Sequence, residues 1–179
     1  VLASALAPAA SAATPIAAAT AAAAPGVAGP AEWRAWNLIV NLQDLPQPYS
    51  CDDLWYRFHD LLLAIGARPD MQILTYHCGS TRERSTRSPS VQLQFQLPSA
   101  LSGPQARYAD MSAVRTTISF GPGQPRSLTG DDCELLKQIN SNLLAALPVH
   151  IVAARLACRA PAAAGRPFAL RVQALIPRS

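Results

Sequence analysis

Four cysteines could bind a metal, exchange disulfides, attach haem or form structural disulfides. Each is separated from the others by many residues: Cys51, Cys78, Cys133 and Cys158. Structural zinc sites draw ligands from close pairs such as C-x2-C, thioredoxin-like exchangers need C-x-x-C, and haem attachment needs C-x-x-C-H. None of these spacings occurs. The pattern favours two disulfides formed in an oxidising compartment. A reactive thiol at a helix start, Cys51 or Cys133, is the alternative if the chain stays in the cytosol.

Paired carboxylates and three histidines are the other candidates for acid and base chemistry. Asp52 with Asp53, and Asp131 with Asp132, each fall at a predicted helix start, where carboxylates cap the helix and offset its dipole. No nucleophile elbow, P-loop or dinucleotide fingerprint is present. We therefore predict no catalytic residue, no metal site and no cofactor. The histidines share no metal-binding spacing and are predicted to be structural: His59, His77 and His150.

A polar loop with three arginines is the most distinctive exposed segment, and it carries Arg82, Arg84 and Arg87. Guanidinium groups on a hairpin tip could bind the phosphate or sulfate of an anionic polymer, or a partner protein; a merely solvated tip is the alternative. No aromatic residues are interleaved with the arginines, so we predict no specific nucleic-acid partner. Trp33 and Trp36 are candidate contact aromatics, with packing as their alternative role.

Two amphipathic helices position these residues. The first spans residues 50–66, where Ser50 or Asp52 can cap its start and Gly66 can end it. The second spans residues 129–147 and is closed by a proline. Their apolar residues recur at spacings of three and four: Leu54, Phe58, Leu61, Leu62 and Ile65 in the first, and Leu136, Ile139, Leu143, Leu144 and Leu147 in the second.

Six segments alternate apolar and polar residues and are predicted strands, so the element order is β-α-β-β followed by β-α-β-β. A shift of 82 residues matches Cys51 with Cys133 and Leu54 with Leu136. The pattern predicts an α+β fold of duplicated β-α-β-β units, with two helices packed on antiparallel or mixed sheet. One six-stranded sheet, or two sheets of three strands, would satisfy it. Two unrelated α+β halves are the alternative to duplication.

Geometry predicts which cysteines pair. The first helix is about 22 Å long and the strand that follows about 26 Å, so an antiparallel return brings Cys78 beside Cys51. The same argument pairs Cys133 with Cys158 in the second half. Each closed loop stabilises the fold by about 3 kcal/mol in the chain-entropy model.

The N-terminal alanine-rich sequence indicates export. Residues 1–13 resemble the end of a signal peptide, because Ala10, Ser11 and Ala12 fit the A-x-A cleavage pattern. Residues 14–31 contain almost only Ala, Pro and Gly with no charge, which is typical of a linker. A single disordered extension is the alternative. No apolar run long enough for a transmembrane helix follows Pro30.

The predicted organisation is a first unit at residues 32–98, a connector at 99–111 and a second unit at 112–179. We attribute the formal charge of +4 to composition bias, since Lys137 is the only lysine and every other fixed positive charge is an arginine; a dedicated polyanion-binding surface is the alternative. We predict an exported, periplasmic or secreted, non-catalytic binding or assembly module of the bacterial envelope, with an envelope protein or anionic envelope polymer as its partner. An exported hydrolase-like enzyme, whose site forms only in three dimensions, is the alternative.

Overall fold

The computed structural model of the chain describes residues 26–79, 88–158 and 168–178. Within these residues it contains six β-strands, two α-helices and three short 3-10 segments. In chain order the main elements are β1 (Ala28–Asn41), α1 (Cys51–Ala64), β2 (Gln72–Tyr76), β3 (Ser90–Ala100), β4 (Met111–Phe120), α2 (Cys133–Asn142), β5 (His150–Arg155) and β6 (Ala169–Pro177). The 3-10 segments are Gly103–Tyr108, Gly130–Asp132 and Leu144–Ala146.

The six described strands form one sheet in the order β2-β3-β1-β4-β6-β5, and all their pairings are antiparallel. The predicted α+β fold with an antiparallel sheet is confirmed, whereas a mixed sheet and two separate sheets are not formed. From the central β1–β4 pair the order runs outward as β1, β3, β2 on one side and β4, β6, β5 on the other. The last strand of each half therefore lies between the other two strands of that half.

Strand β1 starts earlier than the sequence suggests. It begins at Ala28 instead of Glu32, so it takes in the last residues of the segment predicted to be a linker. These residues, Ala28–Ala31, pair with the first residues of β4, Met111 to Val114. Backbone pairing needs no large side chain, which is why composition alone missed this part of the strand.

Helix α1 has the boundaries that its sequence predicts. Ser50 is the N-cap, and its Oγ accepts a hydrogen bond from the Asp53 N–H at 3.0 Å. The predicted apolar face is fully buried. Gly66 follows the helix with φ +91°, and a Cβ at this position would lie 2.6 Å from the Leu175 carbonyl oxygen. Only glycine combines this conformation with this close approach between the end of α1 and strand β6.

The second predicted helix is shorter than expected. Residues 129–147 form a central α-helix, α2, with a 3-10 segment before it and another after it. Thr129 and Asp132 form a capping box at its start. All the apolar residues assigned to its buried face are in the core. The periodicity thus identified the buried face correctly, but it could not distinguish the tighter 3-10 turns at the two ends.

A single hydrophobic core joins the two halves. Both helices and the inner faces of β3 and β6 contribute to it. The inner face of β3 is the one predicted by alternation, with Val91, Leu93, Phe95 and Leu97 all buried. The structure is therefore one domain with a shared core rather than two independent units.

Two disulfides tie the helices to the sheet, in the predicted pairing. Cys51 is bonded to Cys78, with their Cα atoms 5.2 Å apart, and Cys133 to Cys158, with their Cα atoms 5.4 Å apart. All four cysteines are thereby used, so the alternative of a reactive thiol at a helix start is wrong. No helix in the described residues is both long and apolar enough to cross a membrane.

Candidate functional site

The candidate site lies along β1, whose backbone groups alternate between two neighbours. The Leu42 N–H donates to the Pro89 carbonyl at 2.9 Å, and the Pro30 carbonyl accepts from the Leu101 N–H at 2.9 Å. Both contacts reach toward the β3 side. In an antiparallel strand the N–H and C=O of one residue point to the same side, and the side alternates along the chain. Even-numbered residues of β1 therefore pair with β3, and odd-numbered residues point away from it.

The odd-numbered side of β1 is paired for only part of its length. Strand β4 pairs with β1 up to Ala31, while β3 continues along β1 to Asn41. No other described strand neighbours β1. We call the backbone groups left without a neighbouring strand the open edge; they belong to Trp33, Ala35, Asn37 and Ile39.

Helix α2 covers the backbone just beyond the open edge with amide side chains. Gln138 pairs with both backbone groups of Gln43: its Nε2 donates to the carbonyl at 2.6 Å, and its Oε1 accepts from the N–H at 2.8 Å. Asn142 Nδ2 donates to the Asn41 carbonyl at 3.3 Å. The Gln138 amide thus makes the two hydrogen bonds that a residue of a neighbouring antiparallel strand would make. The open edge is the part of this side that neither a strand nor a side chain of the described residues pairs with.

A groove of about 1180 Å³ opens where β1 meets α2. Three carboxylates line it, from Asp44, Asp131 and Glu134, and no Lys or Arg among the described residues does so. Lys137 Nζ lies 3.1 Å from Glu134 Oε1 and partly neutralises that carboxylate. Among the described residues, Asp44 and Asp131 have no ion-pair partner. The groove therefore offers negative charge at one end of the open edge.

Three exposed apolar side chains lie on the outer face of the sheet, one on the open edge of β1 and two on β2, which β3 separates from β1. Ile39 is 65% exposed, Leu74 49% and Tyr76 44%. The strand registers place Ile39 opposite Gln92 and Gln92 opposite Leu74. The Tyr76 hydroxyl donates to Gln92 Oε1 at 3.4 Å. The three apolar side chains thus surround one glutamine, and such a cluster on a surface is typical of protein contacts.

A buried polar cluster links the two halves beneath this surface. Asp132 is fully buried, and its Oδ1 accepts from the Tyr49 hydroxyl at 2.8 Å and from Arg57 Nε at 3.0 Å. Its Oδ2 accepts from the Thr129 N–H at 2.6 Å and from Thr129 Oγ1 at 3.0 Å. Because each partner donates a hydrogen bond to one of the two carboxylate oxygens, the cluster is internally satisfied. We assign it to joining α1 to α2, with Asp132 as the shared acceptor.

Two groups near this cluster have shifted pKa values. Burial raises the pKa of the Tyr49 phenol above its usual range, and the adjacent Asp132 carboxylate acts in the same direction. The Ser50 hydroxyl lowers the pKa of Asp53 by hydrogen bonding to its carboxylate, and the nearby Arg57 guanidinium lowers it further. Both shifts favour the protonation state that the fold already holds at neutral pH.

The three histidines lie apart from one another and from the groove. His59 stacks on Trp55 with ring centroids 4.6 Å apart, and its Nδ1 is 3.3 Å from Asp60 Oδ1. His77 follows β2 with φ 57°, and His150 begins β5. The described residues contain no cluster of His, Cys, Asp and Glu that could hold a metal ion. Thus no histidine is brought beside the carboxylates of the groove.

The contact residues predicted from the sequence fall in different places. Trp33 and Trp36 lie on opposite faces of β1, and each is half-buried. The guanidinium of Arg68 lies 5.6 Å from the ring centroid of Trp33. The guanidinium of Arg34 lies 5.2 Å from the ring centroid of Trp36. Their role as contact aromatics stays a prediction. The arginine loop lies outside the described residues: Arg82, Arg84 and Arg87.

Comparison of the chain with protein families, curated proteins and solved structures found no match.

Of the open-edge residues, sequence reasoning singled out only Trp33, as a candidate contact aromatic, and it assigned no residue to the groove. One signal was present: Ile39 is a large apolar residue on the polar side of the alternation in β1, where it is exposed. The groove carboxylates gave no signal, because Asp44 lies in a loop and Asp131 was assigned to helix capping. They come together only when α2 packs against the end of β1.

Proposed function

We propose that this chain is an exported, non-catalytic binding or assembly module of the bacterial envelope, which holds an extended segment of a partner polypeptide against β1. One observation carries the proposal: β1 is paired with β3 from Ala31 to Asn41, whereas on its other side it is paired with β4 only from Ala28 to Ala31. Unpaired strand edges are templates for strand addition, a common mode of peptide recognition. Ile39, an exposed apolar side chain on the edge itself, adds contact surface of the kind that proteins bind.

The two disulfides support the export part of the proposal, because such bonds persist in oxidising compartments. Cell fractionation tests it directly. We expect the protein in the periplasmic or secreted fraction, with all four cysteines resistant to alkylation until a reductant is added. Recovery from the cytosol with alkylatable thiols would contradict export.

We also propose that the two halves arose by internal duplication. Each half runs β-α-β-β, and the strand order is the same outward from the central pair. Each half closes one disulfide between its helix start and the segment after its second strand, with sequence separations of 27 and 25. Two halves of one ancestral unit account for all three regularities together.

The edge hypothesis is tested by Ala35→Pro, with Ala35→Ser as its matched control. The Ala35 N–H belongs to the open edge, so proline there removes a donor from the edge but none from the β1–β3 pairing. Peptides selected from a random phage-displayed library on the wild-type protein should bind Ala35→Ser equally and lose binding to Ala35→Pro. Asn37→Pro, at the next position of the edge, provides a second variant. Undiminished binding to both folded proline variants would refute the proposal.

A further inference from the structure

We infer that the open edge receives a single extended segment that is rich in lysine or arginine, supplied by another polypeptide. This inference rests on the proposed function and names the chemistry of its partner. Two features of the site select the occupant: the limits at the two ends of the edge, and the charge of the groove beside it.

The limits of the edge exclude a second copy of β1. At one end β4 pairs with Ala31, and at the other the amides of α2 bind Asn41 and Gln43. The open edge between them, from Trp33 to Ile39, is about 20 Å long at the usual rise of a strand. In a second copy, β1 has its own β4 and its own α2 on the same side, and these would collide with their counterparts. A lone extended segment, with no neighbour on its approaching side, fits the gap.

The backbone of the edge is already positioned for strand pairing. The Gln138 amide bonds to both backbone groups of Gln43 as a strand would, at 2.6 and 2.8 Å. The same alternation continues at Asn41, Ile39 and Asn37 of β1, which come two, four and six residues before Gln43. The Asn142 side chain of α2 hydrogen-bonds to the Asn41 carbonyl, whereas no described side chain of α2 hydrogen-bonds to the backbone of Ile39. The bound segment would continue the pairing that α2 begins.

Charge selects a basic segment. The chain as a whole has a formal charge of +4, yet the groove is lined by three carboxylates and by no described Lys or Arg. Asp44 and Asp131 are exposed and have no ion-pair partner among the described residues. A segment that follows the edge toward α2 enters this groove, where its cationic side chains lie beside these carboxylates. An acidic segment would be repelled there.

Synthetic peptides of nine residues, each labelled with fluorescein, test this inference by fluorescence anisotropy. The probes alternate valine with lysine, with glutamate or with serine. We expect the lysine peptide to bind at least tenfold more tightly than the glutamate peptide, and its affinity to fall as NaCl is raised from 50 to 200 mM. Ala35→Pro should abolish binding of every probe, while Ala35→Ser should leave it unchanged.

Variants in the groove separate charge from strand pairing. Asp44→Asn combined with Asp131→Asn should weaken the lysine peptide by about three- to tenfold, the effect of two exposed ion pairs, and should leave the serine peptide unchanged. Asparagine also tolerates the φ of 47° at position 44. Asp52→Asn is the matched control, because Asp52 is an exposed first-turn aspartate of α1 outside the groove.

Each outcome discriminates between the two proposals. If all three peptides bind equally well and Ala35→Pro abolishes their binding, the inference of a basic partner is wrong and the proposed function still stands. Binding that Ala35→Pro does not change overturns both, as does no binding of any probe. If sedimentation velocity shows that the wild-type protein is a dimer and that Ala35→Pro is a monomer, the occupant of the open edge is a second copy of this chain and the inference is wrong.

Discussion

Replacing Asp132 by alanine gives the sharpest test of how the two halves are held together. Asp132 is fully buried and accepts hydrogen bonds from Tyr49, Arg57 and Thr129. The substitution leaves these donors without their acceptor inside the protein. Removing one member of a buried ion pair typically costs 3–5 kcal/mol, since the remaining charge stays buried. Arg57 keeps its contact with Asp53, at 3.4 Å, so we expect the lower end, about 3 kcal/mol.

Asp131→Ala is the matched control, because Asp131 is the neighbouring aspartate of the same turn and is exposed. Loss of its interaction with the helix dipole should cost about 0.3–1 kcal/mol. The free energy of unfolding is measured by urea denaturation followed by circular dichroism, with the disulfides intact. If the two variants differ by less than about 0.5 kcal/mol, the assignment of Asp132 as the shared acceptor is wrong.

A double-mutant cycle extends the same test to Tyr49. Tyr49→Phe alone removes one buried hydrogen bond and should cost about 1 kcal/mol. In the Asp132→Ala protein the hydroxyl has already lost this acceptor, so Tyr49→Phe should cost much less. The coupling energy should therefore be about 0.5 kcal/mol or more. Strict additivity would show that the two side chains do not depend on each other.

Three further predictions follow from the fold. Amide hydrogen exchange measured by NMR should alternate between Trp33 and Val40, with odd-numbered residues exchanging faster because they lie on the open edge; uniform protection would contradict the edge. The lowered pKa of Asp53 contributes stability above its unfolded value of 3.8, and this contribution is lost as the pH falls through the lower folded pKa. Between pH 5 and 2 the free energy of unfolding should therefore fall less in Asp53→Asn than in the wild-type protein. An unchanged pH profile would count against the lowered pKa of Asp53. Replacing Arg82, Arg84 and Arg87 by alanine should abolish salt-sensitive binding to anionic polymers such as lipopolysaccharide or teichoic acid, measured by co-sedimentation. Unchanged binding would show that these arginines do not bind such polymers.

The local elements and the disulfides could be predicted from the sequence because each depends on residues close in the chain. The buried face of α1 follows from the spacing of its apolar residues, and its start from Ser50. The disulfide pairing follows from the lengths of one helix and one returning strand. These quantities are set by backbone geometry and need no knowledge of distant contacts.

The site could not be predicted, because it depends on register and on contacts between distant parts of the chain. Asp131 and Asp132 look equivalent in the sequence, but only Asp132 reaches Tyr49 and Arg57, which lie 83 and 75 residues earlier. Similarly, alternation identified β1 as a strand but could not say that β4 would stop pairing with it at Ala31. The open edge is a consequence of that register.

The positions of the disulfides decide how the chain responds to a cut. One closes residues 51–78 into a covalent ring and the other closes residues 133–158. A protease that cuts inside either ring leaves the molecule in one covalent piece. The arginine loop begins just beyond Cys78 and belongs to neither ring. Cleavage there divides the polypeptide into two fragments with no covalent link between them. The pairings of β1 with β3 and β4, the β2–β3 pairing, the hydrogen bonds to Asp132 and the common core then hold the fragments together.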